Sequence, residues 1–187
     1  MTEDAFFALI DPVLRDLQSV PEDGEEFRQP PLDVLRYHRR PVRLGWIPWF
    51  GWGLSVLAVA RQPVDIGLNA GDYRRFLTRL AMAANGRFPP WGRGRHPKGL
   101  VLGLTAIVFT PEPIGPEDDA VLAEVLASAP ATRQRAVPLG VIRVNLGQEA
   151  LSFALASGPE GVFREGIAIV DALTPHLRRY VPLIDVG

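Results

Sequence analysis

The chain contains no cysteine. Disulfides, thiol nucleophiles, thiolate zinc sites and iron–sulfur clusters are therefore excluded together, and the redox compartment cannot be read. Histidine is scarce too, with His38, His96 and His176 widely separated. No H-x-x-x-H or H-x-E pairing sets two ligands on one helix face, so no metal and no cofactor is expected. His38 falls in an arginine run and is expected to stay solvated; His96 precedes Pro97 in a turn, and His176 sits near a helix end. Lysine occurs once, at Lys98.

Two further absences concern targeting. "MTEDAFFALIDPVLRDL" opens with acids where a secretory signal would carry positive charge, which points to a cytoplasmic location. The longest uncharged run, Leu44 to Ala60, would span roughly 25 Å as a helix, short of the roughly 30 Å hydrocarbon core. Pro48 and three glycines weaken that helix further, so no membrane span is expected.

Acidic residues are nearly missing from the middle of the chain. Residues 31–100 hold Asp33, Asp65 and Asp72 against twelve basic residues, a surplus of nine that the overall charge of -1 conceals. Both flanks are acidic. All four tryptophans lie within the basic third.

What is present fits one globular domain over residues 1–187, because 187 residues at 47% hydrophobic content can bury a core. An amphipathic N-terminal helix over 3–18 carries Phe6, Phe7, Ile10, Val13, Leu14 and Leu17, with Pro12 a candidate break. An acidic Pro/Gly loop follows over 19–31. "LSVLAVA" (54–60) and "LVLGLTAIVF" (100–109) are apolar on both alternating faces, the pattern of strands covered on both sides.

Between them residues 72–84 form a helix on a stripe of Tyr73, Phe76, Leu77, Leu80 and Ala84, with Asn85-Gly86 as its stop. A helix is expected from Pro116 to Ser128, its first turn carrying Glu117, Asp118 and Asp119. "VPLGVIRVNL" reads as a strand, "ALSFALAS" as a strand or a short helix, and the last helix spans about Val162 to Leu173. This order is not strict βαβ alternation. It predicts an α+β fold, a single mixed or largely antiparallel sheet with helices packed on it, with a three-layer α/β arrangement as the alternative.

Motifs for chemistry are weak. "GRFPPWGRGRHPKG" has the glycines and cations of a phosphate loop but leads into Pro97 and a strand, with no helix N-terminus to receive a phosphate. "EPIGPEDDA" gathers Glu112, Glu117, Asp118 and Asp119, and helix N-terminal charge accounts for three of the four. Ser55 lacks the second glycine of a nucleophile elbow.

"LGWIPWFGWG" sets Trp46, Trp49 and Trp52 three residues apart. Three exposed indoles would offer about 450 to 750 Å², at or above the largest patch on a typical monomer. Either some are core, as in an edge strand or hairpin leading into residues 54–60, or the patch has a partner. Trp and Arg dominate protein–protein hot spots. The expected function is thus a non-catalytic protein-interaction or adaptor module, binding another protein or itself through Trp49, Trp52, Trp91, Arg39, Arg40, Arg43, Arg93, Arg95 and Lys98. Single-stranded nucleic-acid binding by the same surface is the alternative. An enzyme whose site forms only on folding, around Glu112, Asp118, Asp119 and His96, is the third reading.

Overall fold

A computed structural model describes residues 1–22, 32–43, 52–87, 101–127, 136–156 and 164–180. The chain begins with helix α1 (Glu3–Asp16), capped by the Thr2 hydroxyl, which accepts from the Ala5 N–H at 3.2 Å. Pro12 lies inside α1 without dividing it. Gln18 takes a left-handed φ of 58°. Its N–H reaches Arg15 O and the Ser19 N–H reaches Leu14 O, the paired bonds of a Schellman stop that turns the chain into the sheet.

The strands are β1 (Val20–Glu22), β2 (Asp33–Arg43), β3 (Trp52–Arg61), β4 (Val101–Phe109), β5 (Ala136–Asn145), β6 (Ala150–Leu155) and β7 (Arg178–Arg179). They lie side by side in chain order in one seven-stranded sheet. Pairings β1–β2, β2–β3 and β5–β6 are antiparallel, and β3–β4, β4–β5 and β6–β7 are parallel. The sheet is mixed, with helices packed on it, as an α+β fold requires.

Helices α2 (Ala70–Arg87), α3 (Asp118–Ala127) and α4 (Arg164–Leu173) are the three parallel crossovers. Right-handed crossovers put α2 and α3 on one face of the sheet, and the reversal of direction at β5–β6 sends α4 to the other. The two cores agree. Tyr73, Phe76, Leu80, Leu122 and Val125 pack on Val56, Ala58, Leu104, Ala106 and Val141, while Phe6, Ile10, Ile169 and Leu173 pack on Leu57, Val59, Ile107 and Ile142. Strands β3 and β4 alternate between these cores, so both read as continuous apolar runs.

Several expectations change. His38 does not stay solvated: it lies in the long strand β2 and is 4% exposed, beside Tyr37 at 0%. A β-bulge between Val34 and Arg36 turns Leu35 and Arg36 to the same face. Part of the expected loop over 19–31 is strand β1, α2 runs past Asn85-Gly86 to Arg87, and α3 starts at Asp118, two residues after Pro116. "ALSFALAS" is strand β6. Trp52 and Gly53, ahead of the apolar run expected over 54–60, already belong to β3.

Candidate functional site

Strands β3, β4 and β5 are parallel, so the chain leaves all three at one edge of the sheet, at Arg61, Phe109 and Asn145. In open α/β sheets this is the edge where ligands bind. A buried polar network occupies it. Arg143 points from β5 toward α2 and α3 and is 0% exposed. Its Nε donates to the Tyr73 hydroxyl at 2.9 Å, its Nη1 to Asp118, and its Nη2 to Glu112 at 2.6 Å and Thr110 at 3.1 Å. The Tyr73 hydroxyl donates onward to Gln62 at 2.7 Å, and the Gln62 amide donates to Ile66 O at 2.5 Å. Asn145 extends the network by donating to Glu112 O at 2.8 Å.

The network is buried except at Glu112, whose side chain is 39% exposed. All three guanidinium nitrogens are engaged, and the Asp118 carboxylate also accepts from the Gly115 N–H at 3.1 Å. Burial pushes the Tyr73 hydroxyl well above its usual range, and the nearby Arg143 cation offsets this only in part. The phenol therefore stays protonated and serves as a relay of hydrogen bonds. What the arrangement can do is fasten α2 and α3 to β5. Among the described residues no group of three or more His, Asp or Glu side chains is placed to hold a metal ion. Glu112 and Asp118 thus meet on one arginine, whereas Asp119 turns away to the Phe153 N–H and to Arg179. His96 lies outside the described residues.

On the opposite face, Arg36, His38 and Arg40 form a row along β2 beneath α1 and α4. The Arg36 Nη1 donates to Asp11 of α1 at 3.1 Å, and its guanidinium lies 3.7 Å over the Phe7 ring. The Arg40 Nε donates to Glu165 of α4 at 2.8 Å, and the Ser55 hydroxyl donates to the same carboxylate. Glu165 is 1% exposed. Arg40 and Ser55 are direct cross-strand neighbours, so one carboxylate clamps the β2–β3 pair to the start of α4. Between the two ion pairs sits His38, with neither ring nitrogen hydrogen-bonded. Burial holds its pKa below the usual value, a lowering that Arg36 reinforces and Asp11 opposes.

The surface expected from the sequence is described only at its margins. Trp49, Trp91, Arg93, Arg95 and Lys98 lie outside the described residues. Arg43 and Trp52 face each other as the final backbone pair of β2 and β3. Beside them Gly53 pairs with Val101, and Leu102 pairs with Ala136. The chain therefore enters or leaves segments 44–51, 88–100 and 128–135 at neighbouring points along one edge, opposite the Arg143 network. Arg39 and Arg40 are separated: Arg39 is exposed, while Arg40 turns under α4.

Sequence reasoning did not single out Arg143, Glu165 or Arg36. For Arg143 a signal exists, a lone charge in "GVIRVN", a strand otherwise apolar on both faces. Glu165 has none, because an acid in a first helical turn is ordinarily a solvated dipole partner. No protein-family model, no curated protein and no solved structure matches this chain.

Proposed function

We propose that the protein is a non-catalytic interaction module that binds a partner protein at the edge of the sheet where the parallel strands begin. The observation that carries this reading is the strand register, which sets Arg43 against Trp52, Gly53 against Val101 and Leu102 against Ala136. Segments far apart in sequence therefore leave the sheet from adjacent points. Residues 88–100 bring Trp91, Arg93, Arg95 and Lys98, and residues 128–135 bring Arg133 and Arg135, with no acid in either segment. Residues 44–51 bring Trp46 and Trp49 between Arg43 and Trp52. Indole and guanidinium groups supply most of the energy at protein interfaces, and an acidic partner surface complements the charge.

The Arg143 network is consistent with the same choice: among the described residues, the acids Glu112 and Asp118 at the edge where α/β enzymes place their chemistry are both engaged by one arginine. The test is affinity capture on the wild-type protein and on the Trp49→Ala/Trp91→Ala/Arg93→Ala/Arg95→Ala variant. A partner protein at least tenfold depleted on the variant, whose unfolding midpoint is unchanged, is the expected result. Equal recovery on both overturns the localisation. Nuclease-sensitive recovery that weakens steeply with salt identifies single-stranded nucleic acid as the ligand instead.

A further inference from the structure

Strand β7 covers only the start of β6, pairing Arg178 with Ala150 and Arg179 with Leu151. Beyond Leu151 no strand among the described residues lies on that side of β6. The Ala156 N–H bonds to Leu139 O of β5 at 2.8 Å, so in antiparallel alternation Ser152, Ala154 and Ala156 face β5 while Phe153 and Leu155 direct their backbone groups outward. The Phe153 N–H is capped by the Asp119 carboxylate at 2.9 Å. The Phe153 carbonyl and both backbone groups of Leu155 point into an open groove of about 520 Å³ between this edge and α3. Ala123, Leu126 and Ala127 form its apolar wall, and Arg179 stands at its upper end.

The chemistry of that upper end is specific. Both Asp119 oxygens are taken, one by the Phe153 N–H and one by the Nε and Nη2 groups of Arg179. Arg179 lies 4.3 Å over the Phe153 ring, and its side chain is still 42% exposed. Asp119 engages Nε and Nη2, so Nη1 of this half-exposed guanidinium is the group left to donate to a carboxylate at the end of the apolar groove. The Arg178 N–H bonds to Glu149 O at 2.7 Å, and the sequence after Tyr180 carries Pro182, which has no N–H to give to a strand ladder.

We propose that the groove between α3 and the outer edge of β6 binds the C-terminal residues of a partner polypeptide as an added strand. The peptide runs antiparallel to β6, with its terminal carboxylate on Arg179. Its backbone bonds to the Leu155 N–H and C=O and to the Phe153 C=O, and alternate apolar side chains lie against Ala123 and Leu126. At about 3.4 Å per residue the edge from Phe153 to Ala156 accepts roughly three to four residues. This surface is independent of the basic edge proposed above, and either can fail without the other.

The test is a phage library displaying random heptapeptides at a free C-terminus, selected on the full chain. Enriched peptides are then synthesised with a free carboxylate and as amides. The expected peptides end in alternating apolar residues. Their binding falls at least tenfold on amidation, in Arg179→Glu, and in Ala123→Arg, which fills the groove from an exposed position. The amide resonances of Leu155 and Ala156 shift on titration. No enrichment, or binding that Ala123→Arg leaves unchanged, overturns the proposal. Binding that appears only after residues 181–187 are removed also overturns it, by assigning the groove to the chain's own segment.

Discussion

Arg143 and Asp118 form an ion pair whose side chains are 0% and 1% exposed, joining the middle of the sheet to the first turn of α3. Breaking such a pair by removing one partner strands the other charge in a dry environment, at a cost of about 3–5 kcal/mol. Arg143→Met is therefore expected to lower the urea-unfolding midpoint sharply. Arg143→Met/Asp118→Leu is expected to recover much of that loss, because no buried charge is then left alone. Denaturant unfolding of the two variants checks this. Equal midpoints would mean that the pair is not the fastening we describe.

Glu165 is held in two ways, by the Arg40 Nε and by the Ser55 hydroxyl. Ser55→Ala removes one neutral donor and is expected to cost about 1 kcal/mol. Glu165→Ala leaves Arg40 uncompensated at 17% side-chain exposure, and the larger loss is expected there. Amide hydrogen exchange distinguishes the two. In Glu165→Ala the first turn of α4 loses protection before the strands do.

His38 makes stability pH-dependent. Its folded-state pKa is lowered by burial, so in the unfolded chain, with a pKa near 6.5, histidine binds its proton at a higher pH. Between the two values the unfolded state holds more protons, and stability rises with pH. The contribution is full above about pH 6.5 and is lost as pH falls through that value toward the folded-state pKa. The charges on the same face, Arg36 with Asp11 and Arg40 with Glu165, already balance in pairs, so a third cation there has no partner. His38→Phe is expected to flatten the fall in urea midpoint between about pH 7.5 and about pH 5.5. An unchanged slope in that variant would assign the dependence to other groups.

Gly103 on β4 has no room for a side chain. A Cβ there would press on Leu139 of the neighbouring strand, with Leu139 Cγ only 3.0 Å away. Gly103→Ala is expected to destabilise by about 1–3 kcal/mol through overpacking. Adding Leu139→Ala should relieve the clash, so the two changes are expected to be strongly non-additive in a double-mutant cycle of unfolding free energies.

The elements best legible in the sequence were those whose two faces are both buried or whose stripe is clean. Strands β3 and β4 carry no charge between Leu54 and Ala60 or between Val101 and Phe109, and α1 and α2 place their aromatics at helical spacing. Strand β2 was hidden because its positions toward α1 and α4 are Arg36, His38 and Arg40, each charged or titratable. Their partners Asp11 and Glu165 stand far away in sequence, and only the fold supplies the compensation that makes burial tolerable. Strands β1 and β7 are three and two residues long, too short for any periodicity to register. The same logic separates the two sheet edges. Glu112 and Asp118 were visible as an acidic cluster, but Arg143, which neutralises them, lies 31 and 25 residues further on.

The most direct measurement compares two variants on the same axes, partner retention in affinity capture and urea-unfolding midpoint. The Trp49→Ala/Trp91→Ala/Arg93→Ala/Arg95→Ala variant is predicted to lose its partner at least tenfold with the midpoint intact. Arg143→Met is predicted to lose midpoint while retaining the partner under conditions where it is still folded. The reverse pattern, with partner loss following Arg143 and not the Trp and Arg residues, would contradict the account and move the functional site to the opposite edge of the sheet.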